Sequence, residues 1–132
     1  MNDDLTVAIL VSRKRRRFGI NKALASYQNS TLLEYEIKVA QKLRTAIIIV
    51  VGQDTDSPVH QTPLVRDIIP DCGPLGGVYT AIHWSKTGLI LTMPCDLPLL
   101  PVKVFEILLL YQNDQRPVVA RSQAGLEPLF AL

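Results

Sequence analysis

Three short stretches of this chain hold the residue types from which a phosphate-handling site is built. The first is Arg13-Lys14-Arg15-Arg16-Arg17, followed by Gly19 and Lys22. Arginine forks and a lysine ammonium supply the positive charge and the donors that a triphosphate needs around it. A solvated basic loop, or a patch for nucleic acid, accounts for the same charge. The second is Gly73-Pro74-Leu75-Gly76-Gly77, where missing side chains let backbone approach a ligand, or simply make a tight connector. The third is Met93-Pro94-Cys95-Asp96-Leu97-Pro98, with one carboxylate between two prolines. Asp96 suits Mg²⁺, an ion that takes one or two carboxylates plus substrate phosphates, and it suits equally a turn or a helix cap. His60 and His83 are too isolated for zinc or for a catalytic triad, so both read as surface or packing residues.

The elements that must position these stretches follow from composition and patterning. With 132 residues the chain makes one domain, and 48% apolar against 20% charged residues excludes a disordered chain or a coiled coil. Its longest uncharged apolar runs, 46–52 and 88–95, fall far short of the roughly 20 residues that span a bilayer. The start, Met1-Asn2-Asp3-Asp4, lacks the basic residues and apolar stretch of a signal peptide, which points to the cytoplasm. Cys72 and Cys95 have no paired spacing and read as reduced packing residues. The net charge is +2, yet the basic run holds five of the fourteen cationic side chains, and the remaining nine face twelve acidic ones. The positive field is therefore local, and something anionic is expected there.

Leu5 to Val11 is a β-branched run fit for a strand buried on both faces, and Ala46 to Val51 is a clearer one closed by Gly52. Gly88 to Met93 reads as another, with weaker strands at 117–120 and 127–132. Thr31-Leu32-Leu33-Glu34 has capping-box form, and Leu32, Tyr35, Val39 and Leu43 continue at helical spacing. Further helices are predicted over 78–85 and over 102–111, the latter with Pro101 at a tolerated first position. Trp84 and Tyr79 are expected on a face packed against the sheet. Strands alternating with helices predict an α/β layered fold with a mostly parallel sheet. Ligands bind such sheets at the carboxyl ends of the strands, where the loops 12–22, 67–77 and 94–98 are expected to converge on one site.

Taken in order, these segments resemble the molybdenum cofactor guanylyltransferases, within the wider nucleotidyltransferase superfamily. The family opens with Leu-Ala-Gly-Gly-x-Ser-x-Arg-Met-Gly-x-Asp-Lys-Ala. The corresponding stretch here is Leu10-Val11-Ser12-Arg13-Lys14-Arg15-Arg16-Arg17-Phe18-Gly19-Ile20-Asn21-Lys22-Ala23. The resemblance continues through Thr31-Leu32-Leu33-Glu34, Val65-Arg66-Asp67, Gly73-Pro74-Leu75-Gly76-Gly77, Pro94-Cys95-Asp96-Leu97-Pro98 and Glu127-Pro128-Leu129-Phe130-Ala131-Leu132. It covers essentially the whole chain.

The resemblance implies a three-layer, Rossmann-like nucleotidyltransferase fold with a mostly parallel sheet, shortened at the C-terminus, forming a single domain over 1–132. It also implies transfer of GMP from GTP to the phosphate of molybdopterin, with release of pyrophosphate and with Mg²⁺ as cofactor. Lys22 matches the lysine that contacts the nucleotide phosphates, and Asp96 the aspartate that binds the metal, so these two carry catalysis. Leu10, Val11, Ser12, Arg13, Arg17, Asp67, Gly73 and Gly76 complete the expected nucleotide-binding set. GTP and molybdopterin are the expected partners, with proteins of molybdoenzyme maturation beside them; no membrane is expected, and nucleic acid is the weaker reading of the basic run. Two departures favour alternatives. Val11-Ser12-Arg13 replaces Ala-Gly-Gly, putting bulk where backbone amides meet phosphates, and Asn21 replaces an aspartate. The alternatives are a nucleotide-binding relative with impaired catalysis and a nucleotidyltransferase for another nucleotide or acceptor.

Overall fold

Leu5–Val11 (β1) is buried at every one of its seven positions, as a strand at the centre of a sheet with helices on both faces must be. A computed structural model describes residues 3–11, 16–17, 20–21, 26–27, 30–52, 62–95, 101–113 and 115–132. After β1 come two small hairpins, β2 (Arg16–Arg17) with β3 (Ile20–Asn21) and β4 (Ser26–Tyr27) with β5 (Ser30–Thr31). Helix α1 (Leu32–Gln41) leads into β6 (Ala46–Val51), which lies parallel to β1 with Leu10 opposite Val50. The strand β7 (Leu64–Arg66) extends the sheet in parallel outside β6. Helix α2 (Gly73–Trp84) then returns the chain to β8 (Leu89–Pro94), parallel to β1 on its other side. Helix α3 (Val102–Leu110) precedes an antiparallel pair, β9 (Val119–Ser122) and β10 (Gly125–Ala131). The six-stranded order is β7-β6-β1-β8-β10-β9, parallel except for β10 and β9.

Strand periodicity divides the core in two. Val7, Ile9, Val11, Ile49, Val51, Leu91 and Met93 point to one face, where Leu33, Ile37 and Ala40 of α1 and Phe105 and Leu108 of α3 cover them. Phe105 stacks on Phe130 of β10 at 5.2 Å between ring centroids, which ties the antiparallel end of the sheet to α3. Ala8, Leu10 and Val50 point to the other face and meet Ala81 of α2. Two helices, a sheet and a third helix make the expected three layers.

Four expectations change. The connector expected over 71–77 is in part helix, because α2 begins at Gly73 and not at Val78. A strand absent from the sequence pattern, β7, forms at the sheet edge. Cys72 is exposed; of the two cysteines only Cys95 packs in the core. Tyr79 and Trp84 are 49% and 54% exposed and do not pack against the sheet. Gly76, Gly77, Thr80 and Ala81 take the buried face of α2 instead. Small side chains there let the helix axis approach the strands closely, which turns its bulky residues outward.

Candidate functional site

Because β1, β6, β7 and β8 run parallel, Val11, Val51, Arg66 and Pro94 end at one edge of the sheet. Backbone bonds hold the departing segments together there. The Cys95 amide donates to the Leu10 carbonyl at 3.0 Å, and the Asp67 amide to the Val51 carbonyl at 2.8 Å. The Arg66 Nη1 donates to the Gly52 carbonyl at 3.3 Å. Helix α2 lies between two parallel strands and so runs against them, which brings its first turn to this same edge. The other end of α2 is fastened by hydroxyls. Ser85 Oγ donates to Thr6 Oγ1 at 3.2 Å, Thr6 and Thr87 hydroxyls lie 2.7 Å apart, and Thr87 Oγ1 donates to the Leu89 carbonyl at 2.8 Å.

The turn into α2 requires unusual backbone. Asp71 and Gly73 both hold positive φ, 58° and 60°, on either side of Cys72. Only glycine adopts that conformation without strain, which explains Gly73. Gly77 has a different reason. A Cβ placed on it would lie 3.4 Å from Leu10 Cδ2, 3.9 Å from Val50 Cγ1 and 3.9 Å from Asp67 Oδ1. Gly77 is therefore where α2, the end of β1 and the Asp67 carboxyl meet. That carboxyl oxygen is closed off from water. Desolvation disfavours the charged form and raises the Asp67 pKa above the ordinary carboxylate value. A half-buried carboxylate with raised proton affinity at the carboxyl edge of a parallel sheet has the character of a functional group.

Of the residues expected at the site, Leu10 and Asp67 come together at this edge, beside Gly77, which was not among them; Gly76 precedes it in α2 and Gly73 opens the helix. Val11 is also at the edge, but its side chain is buried in the α1 and α3 core. Its bulk is thus taken up beneath the sheet and not in the loop, contrary to the expectation for the replaced alanine. Arg17 lies in the short strand β2. Ser12, Arg13, Lys22 and Asp96 lie outside the described residues. Among the described residues no group of three or more His, Cys, Asp and Glu is placed to hold a metal ion. Sequence reasoning missed Thr80. Its hydroxyl, fully buried, donates to the Gly76 carbonyl at 2.8 Å and accepts from the Ile68 amide at 3.0 Å. A threonine four residues after a glycine in a stripe of small residues was the available signal.

The sequence pattern of the MobA-like NTP transferase domain matches residues 7–132. The chain belongs to this family. Among similar curated proteins, a probable molybdenum cofactor guanylyltransferase of Carboxydothermus hydrogenoformans is 30% identical over 129 residues, covering 98% of this chain and 65% of that protein. Another, from Bacillus cereus, is 32% identical over 129 residues, covering 93% of this chain and 64% of its own length. The chain thus spans a little under two thirds of these relatives. Among solved structures, the molybdopterin-guanine dinucleotide biosynthesis protein A of Archaeoglobus fulgidus superposes with a TM-score of 0.75 at 20% identity, over 96% of this chain and 65% of that one. Rv0371c of Mycobacterium tuberculosis, solved in complex with manganese, has a TM-score of 0.66 at 18% identity, over 97% and 70%. These likenesses establish a MobA-like nucleotidyltransferase fold. Among the described residues no helix is long and apolar enough to cross a membrane.

Proposed function

We propose that this MobA-like nucleotidyltransferase domain binds GTP at the carboxyl edge of its sheet and transfers GMP to the phosphate of molybdopterin, releasing pyrophosphate. The observation that carries the reading is that Leu10 and Asp67 both come within 4 Å of where a Gly77 side chain would begin, at the edge where the loop after β1 and the segment after β8 both leave. Asp67 contacts the nucleotide, and the first turn of α2 turns its positive dipole end toward an anion. Lys22, Arg13 and Arg17, in or beside the basic run that follows β1, neutralise the phosphates, with Leu10, Val11 and Ser12 forming the backbone entry to that loop. The acceptor phosphate attacks the α-phosphate in line, and no protein nucleophile is needed.

One carboxylate together with substrate phosphates is a ligand set that Mg²⁺ takes. Asp96 follows Cys95, whose amide is bound to the Leu10 carbonyl, so the segment carrying this carboxylate leaves from the same edge. Asp96 would hold Mg²⁺, which when bound supplies charge stabilisation at the α-phosphate and the leaving pyrophosphate. The cytoplasm, where thiols stay reduced, suits a chain with two unpaired cysteines, and proteins of molybdoenzyme maturation are the expected recipients of the product.

Calorimetric titration with GTP, with and without Mg²⁺, on the wild type and Asp96→Ala tests this reading. The expected result is metal-dependent binding that Asp96→Ala abolishes, followed by guanine dinucleotide formation when molybdopterin is added. Equal binding of CTP and GTP would reject the guanine assignment. Binding of GTP without any turnover would favour the nucleotide-binding relative suggested by Ser12 and Arg13 in place of the family's glycines.

A further inference from the structure

We propose that Thr80 is a positioning residue for nucleotide binding, its buried hydroxyl fixing Asp67 and the first turn of α2 in one arrangement at the sheet edge. The proposal rests on the nucleotide reading given above and adds to it a residue that touches no substrate.

The geometry is a two-point clamp. The peptide before the Asp67 Cα is held because its amide donates to the Val51 carbonyl of β6 at 2.8 Å. The peptide after it is held because the Ile68 amide donates to Thr80 Oγ1 at 3.0 Å. With both flanking peptides pinned, one to β6 and one to α2, the backbone torsions of Asp67 are set, and with them the direction in which its carboxyl leaves the chain. The same hydroxyl donates its proton to the Gly76 carbonyl at 2.8 Å, so the residue that pins the Asp67 loop also braces the end of the first turn of α2, at the carbonyl that leads into Gly77. Both capacities of the hydroxyl are used, as a fully buried one requires.

Removing it has an asymmetric effect. The Gly76 carbonyl keeps its place in the helical ladder, whereas the Ile68 amide loses the partner given by Thr80. Ile68 is 39% exposed, so its amide can reach water if the loop swings outward. Such a swing carries Asp67 away from Gly77 and Leu10. The hydroxyls of Ser85, Thr6 and Thr87 would still hold the opposite end of the helix, so the displacement would stay at the nucleotide edge.

The test compares wild type, Thr80→Ser, Thr80→Val, Asp67→Asn and the Asp67→Asn/Thr80→Val double variant by calorimetric titration of the full chain with GTP and Mg²⁺. Thr80→Ser keeps both hydrogen bonds and is expected to bind within about twofold of wild type, while Thr80→Val binds about tenfold more weakly, the change expected when the Asp67 carboxylate loses one hydrogen bond to the nucleotide. Because Thr80 acts through Asp67, Thr80→Val is expected to cost nothing further on Asp67→Asn. Thr80→Ala removes the hydroxyl without setting a methyl against the Gly76 carbonyl, and it carries the same expectation should Thr80→Val not fold. Wild-type affinity in the hydroxyl-free variants, weak binding in Thr80→Ser, or additive costs in the double variant would overturn the proposal alone. Failure of the wild type to bind GTP would instead bring down the nucleotide reading and the proposal together.

Discussion

One chemical change, glycine to alanine, is expected to act with opposite signs at two positions four residues apart in α2. Gly73 holds φ of 60°, and a Cβ there would meet nothing within 4 Å, so the cost of Gly73→Ala is purely conformational. The left-handed region costs an L-residue roughly 1–2 kcal/mol. Restricting the unfolded chain returns about 0.4–1 kcal/mol, which leaves a net loss near 1 kcal/mol. Gly77 sits inside the helix, where alanine is favoured over glycine by about 1 kcal/mol. Its added methyl would meet Leu10 Cδ2 at 3.4 Å and Val50 Cγ1 at 3.9 Å, ordinary contacts that bury it without a collision. Gly77→Ala is therefore expected to stabilise by about 1 kcal/mol, and the two variants should differ by about 2 kcal/mol. In urea, with a slope of about 1.5 kcal/mol per molar, their midpoints should lie on either side of the wild type and more than about 1 M apart. Shifts of the same sign would refute the reasoning. A loss greater than about 1 kcal/mol for Gly77→Ala would show that α2 packs too tightly on Leu10 to accept a methyl.

Three further outcomes follow from burial and charge. Asp67→Asn is expected to raise the melting temperature at about pH 8 and to lose that advantage at about pH 4 while weakening GTP binding, because desolvation raises the Asp67 pKa. The sign is set by the proton: a raised folded pKa penalises the ionised carboxylate only as pH climbs through it, and a pH-independent difference in thermal melts would exclude this origin. Phe105→Ala removes a fully buried ring stacked on Phe130, and is expected to cost about 3–5 kcal/mol in urea unfolding, with Phe105→Leu nearer 1–2 kcal/mol. Tyr79→Gln, on the outward face of α2, is expected to change stability by less than about 0.5 kcal/mol in the same assay; a loss of several kcal/mol would restore the packed face expected from the sequence.

The legible parts of the fold were those where one side-chain pattern had one physical meaning. Leu5–Val11 and Ala46–Val51 are continuous apolar runs too short for helices, and a strand covered on both faces buries all of the first and the last three residues of the second. Leu64–Arg66 has no comparable pattern. It is three residues long, partly exposed, and becomes a strand only because Ile49, Val50 and Val51 offer an open edge, a property of β6 and not of its own sequence. The site was legible to the same degree. Parallel strands bring their carboxyl ends to one edge, which puts Leu10 near Asp67, whereas the Gly77 contact and the Thr80 hydrogen bonds depend on distances that no spacing rule contains.

The inverted face of α2 ties these observations together. Aromatic residues in an apolar helix are ordinarily expected inward, on the grounds of the area they bury. Here Gly76, Gly77, Thr80 and Ala81 recur at helical spacing, and that stripe lets the helix settle on Ala8, Leu10 and Val50, themselves partly small. A Tyr or Trp in the stripe would lift the helix by the thickness of a ring. Close approach is what allows the Thr80 hydroxyl to reach the Ile68 amide, and what leaves the Asp67 carboxyl beside Gly77 with an oxygen cut off from water. The raised proton affinity of Asp67 is thus a consequence of small residues on a neighbouring helix. Enlarging any one of them should change the chemistry of the edge before it changes the fold.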